Sequence, residues 1–242
     1  MTAYTVRYHP PEWYVAQLQQ RQPFSLSRWG DGEWRAVFLA DTPNASQAKS
    51  GANCDKHRYF PTMNRQLADI LKSQPPYRLG LQSLAIRLFG DKLVNYIQRY
   101  LPGREWHDAA EVSRAGYEGR LAPILKAIGD MPHIVVGPYW LKGLYPLFPV
   151  HRHVKVPHLN CFLHLDRIVR ETRETLRAAS QPCVVTFAAS MPANIMIHQL
   201  YEEFGKTSFL LDVGSTYDGL LGVLSRSGNC RWNNKANLEG LK

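Results

Sequence analysis

The sequence predicts an α/β protein, a single Rossmann-like domain with a mainly parallel sheet flanked by helices. Three observations carry this expectation. Cys183–Ala188 and Ser208–Val213 are continuous apolar runs of the kind found in strands buried on both faces. Between them, a helix capped by Ser190 runs to Phe204 and is closed by Gly205, giving strand, helix and strand in about thirty residues. The chain has 242 residues, 45% of them hydrophobic and 11% aromatic, enough for a large core, and only 20% are charged. Disorder and coiled coil are thereby excluded as descriptions of the whole.

The elements follow in order. Pro11–Gln20 reads as a short helix with Trp13, Val15 or Ala16, and Leu18 facing inward, closed by Pro23. Phe24–Arg28 alternates apolar and polar residues as a half-buried strand does, and runs directly into Trp29-Gly30-Asp31-Gly32-Glu33. Trp34, Val37 and Phe38 then mark the apolar face of a helix. Residues 41–60 read as loop, Met63–Lys72 as a helix with Leu67, Ile70 and Leu71 inward, Tyr77–Leu84 as a strand and Asp91–Tyr100 as a helix. Arg104–Tyr117 fits neither period. His133–Gly137 is a buried strand stopped by Pro138, and Val154–Val156 a shorter one stopped by Pro157. Phe162–Ala179 carries an apolar stripe at 162, 165, 169, 172 and 176, the signature of an amphipathic helix. Ser190 is placed to N-cap the helix that follows, with Pro192 in its first turn.

Residues 1–224 form the expected domain, and 225–242 a basic tail. That tail sets Arg226, Arg231, Lys235 and Lys242 against Glu239, with Trp232 among Asn and Gly. It suits a grip on a nucleic-acid backbone with a stacked base, a loose segment folding over the site, or disorder. Net charge is +9, from 29 Lys and Arg against 20 Asp and Glu, and it is spread over both halves. Such a surplus points to an anionic partner (nucleotide, nucleic acid or membrane surface) or simply to solubility. Cys54, Cys161, Cys183 and Cys230 lie far apart without a C-x-x-C pair and read as reduced thiols. No run approaches the roughly 20 apolar residues of a membrane helix, and Met1–Tyr14 lacks a signal core, so the chain reads as cytoplasmic. His151, His153, His158 and His164 lack a partner spaced to complete a zinc site and read as surface or phosphate-contacting groups.

Asp31-Gly32-Glu33 is the most informative short segment. Two carboxylates separated by glycine, at the C-terminal end of a strand, can converge on one hard cation, Mg²⁺ or Mn²⁺, that in turn binds phosphates. Arg28 adds a bidentate phosphate contact, and Gly30 and Gly32 let the backbone turn. The same residues also describe an ordinary Asp-Gly turn. Asp212-Val213-Gly214-Ser215-Thr216-Tyr217-Asp218 follows a buried strand and faces the same sheet edge. There Asp212 or Asp218 would bind hydroxyls of a ligand or, as a general base, deprotonate one. Asp212 capping a turn and Gly214 marking a bend is the alternative.

Phe24–Glu33 resembles the R-[FW]-G-D-G-E signature of the GT-D-fold glycosyltransferases, a family defined from a domain of formerly unknown function. Weaker likeness extends to Val135–Pro138, to Val156-Pro157 with Asn160-Cys161-Phe162, and to Leu211–Ser215. The resemblance implies a Rossmann-like domain in which Asp31 and Glu33, as a D-x-E pair, hold a metal against a nucleoside diphosphate sugar, with UDP the expected carrier. It places Arg28, Gly30 and Gly32 around the donor. Where relatives tend to have glycine, this chain has Ala188-Ala189-Ser190, so the donor contact there passes to Ser190 and the helix after it; Ser215 is the further donor-side candidate. The acceptor stays open between a cell-surface glycan or glycoprotein and a hydroxymethylated base in DNA, and a non-catalytic basic module that binds nucleotide or nucleic acid is the competing class.

Overall fold

In the computed structural model, which describes residues 4–40, 56–225 and 232–242, eight strands form one sheet. The chain runs β1 (Thr5–Arg7), α1 (Pro11–Gln19), β2 (Ser25–Trp29), α2 (Asp31–Ala40), α3 (Pro61–Lys72), β3 (Arg78–Leu81), α4 (Ser83–Tyr100) and β4 (Glu105–Asp108). It continues through α5 (Glu111–Tyr117), α6 (Leu121–Lys126), β5 (His133–Pro138), a 3₁₀ turn (Tyr139–Leu144), β6 (Arg152–Val156) and a second 3₁₀ turn (Cys161–His164). The last elements are α7 (Leu165–Ala178), β7 (Val184–Phe187), α8 (Pro192–Phe204), β8 (Phe209–Asp212), α9 (Thr216–Leu220) and α10 (Asn234–Leu241).

The strand order is β1-β4-β3-β2-β8-β7-β5-β6, and every pair is parallel. Side chains alternate between two cores. Ile134, Val136, Val185, Phe187 and Leu210 face one side with α2, α3, α4, α7 and α8. Val135, Val184, Phe209 and Leu211 face the other with α1, α6, α9 and α10. A strand covered on both faces must be apolar at every position, which is why the central runs lack alternation. β2 leads into α2 on the face of the first core, whereas its neighbour β8 leads into α9 on the face of the second. The crevice outside the C-terminal ends of β2 and β8 is therefore a topological switch point, where ligands of parallel α/β sheets bind.

Several expectations shift. Arg104–Tyr117 resolves into β4 and α5, and β1 is an additional edge strand whose three residues are all exposed, so it shows no apolar pattern. The helix expected from Asp91 starts at Ser83 and bends at Gly90, whose φ of 44° is non-helical. In α1 the inward aromatic is Tyr14, and Trp13 stays partly exposed beneath the Arg78 guanidinium, 4.3 Å from its ring. Cys161 and Cys183 are buried free thiols, and Cys54 and Cys230 lie outside the described residues.

Within the C-terminal segment, residues 232–242 are more ordered than the composition suggests, and Arg226 and Arg231 lie outside the described residues. Asn233 caps α10 by accepting from the Ala236 N–H at 3.3 Å, and buried Asn237 joins Leu121 and Gly116. Trp232 is only 9% exposed and lies in the second core. A Cβ on Gly116 or Gly219 would come within 2.0 and 2.2 Å of its ring, so both glycines are needed for this close approach. The ring is thus a core group and has no face to offer a base. We expect Trp232→Ala to lower unfolding stability by about 3 kcal/mol in urea titration, because it empties a filled space; a loss below about 0.5 kcal/mol would show that α10 is not docked.

Candidate functional site

The segment after β2 is a helix start. Asp31 is the first residue of α2 and Gly32 is helical and buried, so no tight turn exists between the two acids. Gly30 precedes the helix, and its N–H donates to Glu33 Oε2 at 2.9 Å, half of a capping box. A Cβ on Gly30 would lie 2.5 Å from Gln82 Oε1, so the Gln82 side chain would have to move to admit one. Glu33 thus has one oxygen in a helix cap and the other uncommitted to it.

Arg28, at the end of β2, joins this cap to β8. Its backbone N–H donates to Asp212 Oδ2 at 3.3 Å, and its Nε–H to the Ala109 carbonyl at 2.7 Å. Asp212 Oδ1 accepts from the Gly214 N–H at 2.9 Å. Gly214 has φ +53°, and a Cβ there would fall 1.9 Å from an Arg28 terminal nitrogen, so the guanidinium lies directly against this glycine. On the far side, Asn194 Nδ2 donates to the Arg28 carbonyl at 2.9 Å, while its buried Oδ1 has no partner among the described residues. No sequence motif points to Asn194. Its only signal is an amide in the otherwise apolar first turns of α8.

Charge and burial act together here. Glu33 is pushed up to about 7, first by burial and then by the like charge of Asp212, against the backbone N–H groups it accepts and the Arg28 cation. Behind Arg28, buried Glu111 accepts from the Tyr14 hydroxyl at 2.5 Å and from the His9 N–H at 2.6 Å. Burial raises it to about 7 as well, the two hydrogen bonds opposing.

A cleft of about 360 Å³ opens at the C-terminal ends of β5, β6, β7 and β8. Ser190, Gly214, Ser215 and Asp218 all line it, whereas Asp31, Glu33 and Arg28 sit at the adjoining β2 end. Ser190 does not cap α8: its φ is +53°, Met191 is the N-cap residue, and no side-chain cap bond forms. Asp218 is buried; its Oδ1 accepts from the Trp140 indole N–H at 2.7 Å and its Oδ2 from the Ser225 hydroxyl at 2.5 Å. A more open hollow of about 450 Å³ lies along edge strand β6, lined by His151, Arg152, Lys155 and Arg167. Glu171 bonds both arginines there and offsets part of that charge. Buried His153 Nε2 lies 3.0 Å from the Gly137 carbonyl, a structural contact. Among the described residues no group of three or more His, Cys, Asp or Glu side chains is arranged to hold a metal. No helix among them is long and apolar enough to cross a membrane.

Sheet order and crevice define a parallel α/β protein, and solved structures share this fold. The chain is similar to the selenomethionine-substituted structure of domain of unknown function 1792, with TM-score 0.63 and 14% identity over 89% of this chain and 82% of that one. A second structure, described as showing that this highly conserved domain has a distinct glycosyltransferase fold, aligns with TM-score 0.59 and 14% identity over the same shares. A third, described as a new glycosyltransferase of this domain type from Streptococcus sanguinis, gives 0.55 and 15% over 92% and 87%. No family model matches the chain, and no curated protein matches it in sequence.

The two raised acids set a pH dependence. Each holds a proton better in the fold than in the unfolded chain, so stability is greatest below the ordinary carboxylate range and falls as pH rises through about 7. Urea unfolding at pH 5.5 and pH 8 is expected to show a loss of about 1–3 kcal/mol at the higher pH. Glu111→Gln, which cannot ionise, should flatten that slope; an unchanged slope would count against Glu111 as its source.

Proposed function

We propose that this chain is a glycosyltransferase that moves a sugar from a nucleoside diphosphate, UDP being the first carrier to try, to an acceptor hydroxyl. The observation that carries the reading is the meeting of Arg28, Glu33, Asp212 and Gly214 at the β2/β8 switch point, in a backbone similar to that of glycosyltransferase-fold structures.

Asp31 and Glu33, two apart in the first turn of α2, do not share a helix face as a tight turn would have let them, so an ion at this helix start would need phosphates and water for most of its shell. Asp31 and Glu33 would hold Mn²⁺ or Mg²⁺, and the ion would offset the charge that develops on the departing diphosphate. Arg28 is pre-positioned to offset the same charge, because its Nε is fixed on Ala109, which aims the guanidinium at the backbone of Gly214. The missing side chain at Gly214 leaves the room that the Arg28 guanidinium itself occupies, which lets that cation sit against the loop after β8. Asp212 is occupied by two backbone N–H groups, so it shapes this loop. In the transfer, the bond from the anomeric carbon to the diphosphate oxygen breaks, a bond to the acceptor oxygen forms, and the acceptor hydroxyl loses its proton.

A glycan or glycoprotein hydroxyl and a hydroxymethylated DNA base enter the same acceptor screen. Burial of Trp232 removes the stacking group that favoured DNA, while the net charge of +9 and the basic hollow along β6 still suit an anionic polymer.

With Mn²⁺ and a set of nucleotide sugars, mass spectrometry should detect transfer by the wild type. Asp31→Ala and Glu33→Gln should lower it at least a hundredfold, as excess chelator should, with melting temperatures kept within a few degrees. Undiminished transfer in either variant, or in chelator, removes the metal role. If UDP with Mn²⁺ fails to raise the melting temperature of the wild type, the donor reading itself fails, since a ligand bound only by the native state must stabilise it.

A further inference from the structure

We infer that the cleft over β5, β6, β7 and β8 is a subsite for a neutral sugar ring of the acceptor, that Trp140 is its stacking surface, and that Asp218 is a positioning residue acting through Trp140. This rests on the glycosyltransferase reading above and adds to it a binding surface and a role for Asp218.

The indole is the first group to consider. Trp140 is the second residue of the 3₁₀ turn after β5 and is half-buried, so one part of the ring is packed and another faces the cleft. Its N–H is tied to Asp218 Oδ1 at 2.7 Å, and Asp218 is in turn tied to the Ser225 hydroxyl at 2.5 Å. His158 flanks the ring at 6.1 Å, tilted 54°, and Tyr139, 62% exposed, meets it edge-on at 5.4 Å. An aromatic plane locked by a buried carboxylate loses little freedom when a ligand stacks on it.

The rest of the lining fits a polyol. Ser190 and Ser215 offer hydroxyls, and His57 and His158 imidazoles, all groups that both donate and accept. Among the described residues Lys56 is the one Lys or Arg of the lining, so the cleft lacks the cationic density that suits a phosphate. Prolines and aliphatic side chains supply the apolar remainder, and the volume of about 360 Å³ lies at the small end of ligand sites. A pyranose presents an apolar ring face and a rim of hydroxyls, which this combination matches.

Backbone strain gathers at the same place. Of the five non-glycine residues with positive φ among the described residues, Lys56 and Ser190 line the cleft and Asn160 sits between two that do. Such conformations cost free energy and concentrate at ligand sites. Gly214 lines the cleft and also touches the Arg28 guanidinium, so a ring held here adjoins the proposed diphosphate position.

This arrangement also decides how Asp218 works. Asp218 is buried and each of its oxygens accepts a hydrogen bond within the protein, so its carboxylate is oriented on Trp140 and Ser225. Asparagine can keep both contacts, accepting from Trp140 and donating to Ser225, whereas alanine keeps neither.

Ring binding and donor binding are measured apart. Methyl glycosides of glucose, galactose and N-acetylglucosamine are titrated without donor by saturation-transfer NMR, and UDP with Mn²⁺ is titrated without glycoside by calorimetry. At least one glycoside should bind the wild type. Trp140→Ala should weaken that binding at least tenfold with UDP affinity kept within twofold, and Trp140→Phe should recover part of it. Asp218→Ala should raise the acceptor constant similarly, and Asp218→Asn should recover most of the loss; should Trp140→Ala fail to fold, the Asp218 pair carries the comparison. Three results overturn the inference: no glycoside binding to the wild type, loss of UDP affinity in Trp140→Ala, or a hundredfold loss of kcat in Asp218→Asn with an unchanged acceptor KM. Failure of UDP to bind while glycosides do would instead strike only the donor assignment.

Discussion

Arg28 is the residue on which the geometry of the site depends. Its backbone N–H holds Asp212 of β8, its carbonyl holds Asn194 of α8, and its guanidinium spans from Ala109 after β4 to Gly214 after β8. One side chain and one peptide unit thus bind together the C-terminal ends of both halves of the sheet. The strand order makes this possible, because β2 and β8 are neighbours whose following helices, α2 and α9, pack on opposite faces of the sheet. A charged group with so many fixed partners is pre-organised, and pre-organised dipoles and charges stabilise developing negative charge without rearranging first.

The neighbouring acids divide the work among cap, loop and ring. Glu33 completes the cap of α2, Asp212 organises the β8 loop, and Asp218 anchors an indole. Each carboxylate therefore has a structural partner, and any ligand role is built onto a side chain already oriented by one. Glu33 and Glu111 show the electrostatic consequence: burial holds both near the point of neutralisation, with Arg28 close to each. A site with raised acids around a fixed cation is sensitive to what binds there, because an added cation or anion changes the balance directly.

Much of this was legible in the sequence, for identifiable reasons. Uninterrupted apolar runs at 183–188 and 208–213 could only be strands covered on both faces, and they flank a helix of the right length for a parallel crossover. The strand into Trp29-Gly30-Asp31-Gly32-Glu33 was visible from alternation and from glycine. What stayed hidden depended on contacts distant in sequence. Exposed β1 has no pattern of its own and exists because β4 offers it an edge. Trp232 looked like a surface aromatic among polar residues until Gly116 and Gly219 supplied its slot. Asn194 and Trp140 gained significance from Arg28 and Asp218, which lie 166 and 78 residues away. Ser190 had the composition of a helix cap, yet the left-handed turn it occupies puts the helix start one residue later.

The Arg28–Gly214 contact, as the diphosphate end of a donor site, is the point on which the functional reading stands or falls. Calorimetric titration of UDP with Mn²⁺ into folded Gly214→Ala tests it most directly, because the added methyl would sit 1.9 Å from the guanidinium and must displace it. At least a tenfold loss of affinity relative to the wild type is expected, with the unfolding transition still cooperative. Wild-type affinity in that variant would contradict it.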